Sequence, residues 1–154
     1  MVDYRDKISK LNLQPLEVEG GYFNKIITLT DNSNKQIGSC IYYLVTKDSF
    51  SSLHKVLKDE IWYFLEGDPL LQILYDEKGN FFEKKLGKVT DGFESISLVK
   101  KNVWQSTRLQ DNGVWALVAT CVIPGFEAND FIAHNDEILE KLKPHCDISK
   151  FIYK

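Results

Sequence analysis

The chain has 154 residues, 44% of them hydrophobic, and a formal net charge of -3. That length fits one domain with a full hydrophobic core, and the lack of a basic excess argues against a nucleic-acid partner. No run approaches the roughly 18 apolar residues of a membrane helix, and the charged opening MVDYRDKISKL lacks the apolar stretch of a secretion signal, so neither a membrane partner nor export is expected.

A short helix is expected over Tyr4–Leu11, with Asp3 as its N-cap. The turn-rich stretch Pro15–Gly21 follows, in which Gly20 and Gly21 permit a tight bend. Segments rich in Ile, Val, Tyr, Phe and Trp then recur between polar turns and read as strands. They are Tyr22–Leu29, Ser39–Leu44, Ser52–Val56, Glu60–Glu66, Leu70–Tyr75, Phe81–Leu86, Ser95–Val99, Trp104–Leu109 and Val114–Val122. Many short strands at close spacing imply a sandwich or barrel. After Pro124 and Gly125 a helix is expected from Asn135 or Asp136 through Lys143, ended by Pro144. The chain therefore reads as one domain over 1–154, with a barrel over about 20–126 and a helical tail over 127–154. Cys40 and Cys121 lie in apolar runs and read as buried core thiols, which with the leaderless start suggests a reducing, cytoplasmic setting.

Strand side chains alternate faces with period two. That puts His54 with Val56, Glu60 with Trp62 and Phe64, and Gln105 with Thr107 on common faces. An imidazole and a carboxylate facing inward beside aromatic rings would make a mixed pocket of the kind small ligands occupy.

These residues resemble the two cupin motifs. The first motif, Gly, five residues, His-x-His, three or four residues, Glu, six residues, Gly, is answered by His54, Val56, Glu60 and Gly67. The second, with Pro-x-Gly, two residues and His, is answered by Lys100, Asn102 and Gln105. The segments EGGYF at Glu19–Phe23, FSSLHKVLKDEIWYFLEGDPL at Phe50–Leu70, VWQSTR at Val103–Arg108 and ALVATCVIPGF at Ala116–Phe126 look like those of the fifth cupin family, long labelled a domain of unknown function. Asn24, Tyr63 and the Lys100-Lys101-Asn102 run depart from its usual pattern. The resemblance implies a mainly β fold, a double-stranded β-helix or jelly-roll barrel with short terminal helices. It also implies a homodimer and a shape similar to the sugar-nucleotide epimerases among cupins.

Of the usual ligand set of three histidines and one carboxylate, the resemblance leaves His54 and Glu60, so neither a metal nor another cofactor is expected. The expected function is a metal-free pocket for a small polar or nucleotide-like ligand, with isomerase or epimerase chemistry in view. In that scheme His54 is the base, Glu60 orients it, and Tyr22 or Tyr42 supplies the acid. Gln105, Trp62, Phe64 and Trp104 would hold the ligand, with Glu19 at the rim. A non-catalytic binding or sensing module and a metal-dependent dioxygenase-like cupin are the alternatives.

Overall fold

Alternating apolar and polar positions give this chain strands that bury one face, and two sheets close their buried faces on each other. A computed structural model describes residues 3–153. The helix α1 (Tyr4–Lys10) is capped by Asp3, whose side chain accepts from the Arg5 amide. Eleven strands follow: β1 (Gln14–Pro15), β2 (Tyr22–Thr30), β3 (Gln36–Thr46), β4 (Ser51–Val56), β5 (Asp59–Gly67), β6 (Leu70–Tyr75), β7 (Phe81–Leu86), β8 (Ile96–Val99), β9 (Trp104–Leu109), β10 (Trp115–Ile123) and β11 (Phe131–Ala133). The helix α2 (Asp136–Leu142) closes the sequence of elements, and its N-cap Asn135 accepts from the Ile138 amide.

One sheet has the order β1-β2-β3-β10-β5-β8 and the other β11-β4-β9-β6-β7. Every strand pair is antiparallel. The result is a mainly β jelly-roll barrel, as expected. Two strands fall outside the expected barrel limits: β1 pairs with β2, and β11 pairs with β4. Both are too short for a periodic pattern to reveal, and β11 lies in what the sequence offered as a helical tail.

The barrel interior is filled at one end by Tyr43, Val45, Trp62, Leu70, Leu86 and Val118, among others. Leu70 and Leu86 are fully buried, and burying such a side chain contributes about 1.5–3 kcal/mol. Two further clusters lie outside the sheets. Leu13, Leu44 and Leu117 gather with Ile8 of α1, while Leu53 gathers with Ile138 and Leu142 of α2.

The cysteine expectation is corrected. Cys40 and Cys121 face each other across the β3–β10 pair, half-buried and bonded as a disulfide. Their neighbours Ser39, Ile41, Thr120 and Val122 turn toward the interior, so period two sends both cysteines to the outer face of the sheet. Cysteine usage therefore gives no support to a reducing setting. No helix among the described residues is long and apolar enough to cross a membrane.

Candidate functional site

Three segments bring ionisable side chains into the open end of the barrel. His54 arrives on β4, registered against Gln105 of β9 and Ala133 of β11. Glu60 arrives from the opposite sheet on β5, beside Val99 of β8 and Val122 of β10. Glu19 comes from the turn between β1 and β2. Its position depends on the two glycines behind it, because Gly20 and Gly21 hold φ of +103° and +72°, values that side-chain-bearing residues rarely adopt. The phenol of Tyr43 fills the space that a side chain at Gly21 would need and donates to the Gly20 carbonyl at 2.5 Å.

His54 is 1% exposed. Its Nδ1 lies 2.7 Å from the Ser52 carbonyl. A carbonyl only accepts, so Nδ1 carries the proton, and in the neutral ring Nε2 carries the lone pair. Nε2 has no hydrogen-bond partner among the described residues; the carboxylate oxygen Oε1 of Glu19 is 3.8 Å away. Phe131 of β11 stacks on the imidazole at 5.0 Å and 16°, which fixes the plane of the ring.

Glu60 accepts from Nε2 of Gln105 at 2.9 Å, and Thr120 lines the same cavity. Burial pushes its carboxyl above the ordinary range, and the charge of Glu19 adds to that rise. His54, Gln105 and Thr120 oppose it. Glu19 accepts at 2.6 Å from the Ser51 hydroxyl. Burial also raises the Tyr43 phenol well above its usual value, so this hydroxyl keeps its proton.

His54, Glu60, Glu19 and Thr120 line a cavity of about 160 Å³. Its apolar walls include Leu16, Phe23, Ile41, Val122, Phe126 and Phe131. A larger cleft of about 530 Å³ lies on the outer surface near α2, lined by Lys55, Trp104 and Lys141 among others. The buried imidazole and carboxylates meet in the smaller cavity, which makes it the candidate site.

Several expected site residues sit elsewhere. Tyr22 and Tyr42 point out of the barrel into the cluster that α1 covers, because their neighbours Phe23, Ile41 and Tyr43 take the inward face. Trp104 also points outward, beneath α2 with Lys55 4.9 Å above its ring, while Gln105 takes the inward position. Trp62 and Phe64 do face inward, but they pack in the apolar core rather than along the cavity; Trp62 meets Tyr43 edge-on at 5.7 Å. Gln105 contacts the cavity only through Glu60. Glu19, expected at a rim, reaches into the site itself. Phe131, Thr120 and Ser51 were not foreseen. The alternation that put Glu60 inward applies equally to Thr120 on β10, whereas Phe131 carries no periodic signal.

The donor set does not suit a metal. The positions that answer the second and third histidines hold Val56 and Gln105, and the Gln105 amide nitrogen is committed to Glu60. Among the described residues no three His, Cys, Asp or Glu side chains converge as ligands. One imidazole and two carboxylates in a largely apolar chamber can bind a small polar head and exchange a proton with it.

A model of the Cupin_5 family, described as cupin superfamily (DUF985), matches residues 5–133. Among solved structures, a hypothetical protein from Leishmania major has a TM-score of 0.82 at 24% identity, over 99% of this chain and 100% of that one. A protein from Shewanella oneidensis has a TM-score of 0.85 at 28% identity, over 99% of each chain. Oxalate decarboxylase from Bacillus subtilis has a TM-score of 0.61 at 17% identity, over 93% of this chain but 37% of that one. The first and last of these likenesses are of fold alone. No curated protein matches the chain.

Proposed function

From the premise that this chain belongs to the cupin superfamily, in the family Cupin_5 (DUF985), we propose that its cavity binds one small ligand and that His54 relocates a proton on it. The observation that carries this reading is the state of His54. Its Nδ1 is tied to a backbone carbonyl, which leaves the Nε2 lone pair turned to a cavity it shares with two carboxylates. In the scheme, a C–H bond of the ligand breaks and its proton passes to Nε2. The imidazolium exchanges its proton with water, and Nε2 then returns a proton at a neighbouring position of the ligand. Between the two transfers Glu19, 3.8 Å from Nε2, stabilises the imidazolium. No oxidant, reductant or co-reactant is needed, so the reaction class is isomerisation.

The ligand is smaller than a nucleotide. The cavity measures about 160 Å³, and no lysine or arginine is among the residues lining it to answer a phosphate. Tyrosine acids at positions 22 and 42 drop out of the scheme, and Glu60 holds the ligand rather than orienting the base. The second copy of the chain implied by the resemblance has an apolar surface to meet: Ile96 and Leu98 on the edge strand β8 are exposed. Light scattering on the purified protein tests that dimer.

The test of function starts with native mass spectrometry of freshly purified protein, to find a bound small molecule. That molecule and related small polyols and hydroxycarbonyls are then incubated with the protein in D2O. Deuterium entering a carbon position with the native protein, and not with His54→Ala, is the expected result. Binding without deuterium entry leaves a binding module and rejects the proton-transfer scheme.

A further inference from the structure

The cavity wall carries two carboxylates and an imidazole lone pair, and its side-chain donors are only the neutral hydroxyls of Ser39 and Thr120. Glu19 and Glu60 present carboxylate oxygens. Nε2 of His54, in the tautomer set by the Ser52 carbonyl, presents a lone pair and has no hydrogen-bond partner among the described residues. The Ser51 hydroxyl is committed to Glu19 and the Gln105 amide to Glu60, which leaves the Ser39 and Thr120 hydroxyls as the donors on the wall. No lysine or arginine is among the lining residues, and Lys58 is held by Asp130 at 2.9 Å. Two carboxylates thus share a largely apolar chamber without a fixed counter-cation, an arrangement that is costly until a cation enters.

A ligand that matches this wall donates more hydrogen bonds than it accepts and brings positive charge. We propose that its polar head is a protonated primary amine held between Glu19 and Glu60, on an apolar body that brings the whole to about six heavy atoms. A primary ammonium has three N–H donors and no acceptor. Two N–H groups reach the carboxylates, and the third, or the adjoining C–H, faces Nε2 of His54. The apolar body packs on Phe23, Phe126 and Phe131. The size follows from the cavity, since a void of about 150 Å³ holds one benzene-sized molecule. This inference rests on the reading of the cavity as a ligand site and adds the charge and donor pattern of the ligand.

Three probes of similar size separate the two ideas: isobutylammonium, isobutanol and isobutyrate. Each is titrated into the native protein while amide NMR shifts are followed at His54, Glu60 and Thr120. The expected result is saturable isobutylammonium binding at least about tenfold tighter than isobutanol, with no isobutyrate binding, because hydrogen bonds to charged groups exceed neutral ones by roughly that factor. Glu19→Gln should narrow the ratio of ammonium to alcohol affinity. If that variant does not fold, the ratio in the native protein decides alone. Equal or tighter binding of isobutanol or isobutyrate overturns the amine and leaves the cavity reading standing. No shift at the cavity residues with any of the three overturns both.

Discussion

Gln105 donates from Nε2 to Oε2 of Glu60 across 2.9 Å and so ties β9 of one sheet to β5 of the other. Both residues are buried. Cutting this bond from the amide side leaves a buried carboxylate with one partner fewer. Gln105→Leu is therefore expected to lower stability at pH 7 by about 1–3 kcal/mol. The loss should shrink at pH 4, where Glu60 is protonated and needs its acceptor role less. Urea unfolding at the two pH values measures it; equal losses at both would show that the amide serves packing alone.

Glu60 itself gives a pH signature with a definite sign. Its folded-state carboxyl lies above the ordinary value of 4.5, because burial and the charge of Glu19 both favour the proton. The folded state then binds more protons than the unfolded chain between 4.5 and the raised value. The protonated form's contribution to stability is fully present below 4.5 and is lost as pH rises through the folded value. Glu60→Gln, which keeps an acceptor for Gln105, should thus stabilise the protein at pH 7 relative to the native chain. The advantage should fade toward pH 4. Thermal melts of both proteins across pH 4–8 check this, and a difference that grows on acidification contradicts it.

The fold was legible because period two is a strong signal when one face of every strand is buried. It placed β6, β7 and β9 at their observed limits and turned His54, Glu60 and Gln105 inward. Parity failed where two like residues adjoin. Tyr42 and Tyr43 are both tyrosines, and the sequence offers no reason to prefer one; only the packing of α1 over Leu44 and Tyr42 settles which faces out. At Trp104 parity held: with Gln105 turned inward its neighbour faces out, under α2, so the expected ligand contact there went against the alternation. Glu19 was underrated because it sits in a turn, where side-chain direction has no period at all. The disulfide was missed because apolar neighbours disguised two cysteines that lie in register on the outer face.

Gly21 holds the turn that aims Glu19. At φ +72° an added Cβ would stand 2.4 Å from Cζ of the Tyr43 ring. Gly21→Ala should lower stability by about 1–3 kcal/mol through backbone strain and displacement of that ring. It should also weaken ligand binding by moving Glu19, whereas Gly92→Ala, with φ +84° and open space around it, carries only the backbone strain. Urea midpoints of the two variants separate the contributions. A Gly92→Ala loss as large as that at Gly21 would mean that the Tyr43 contact contributes nothing.

The missing metal site can be rebuilt to test why it is missing. Val56 lines the cavity two residues beyond His54 on the same strand, and Gln105 sits opposite His54 on β9. Val56→His with Gln105→His would bring three imidazoles together with Glu60, a nitrogen-rich set suited to zinc or nickel. The double variant should bind one such ion per chain at least about a hundredfold more tightly than the native protein, since affinity grows steeply with the number of well-placed ligands. It should also resist urea better when the ion is present than after chelator treatment, because an ion that binds only the folded chain stabilises it. Dialysis against a chelator followed by titration of zinc reads both effects. Should the double variant bind no tighter than the native chain, two absent histidines are not what separates this barrel from a metal centre, and the backbone around His54 must itself deny an ion its geometry.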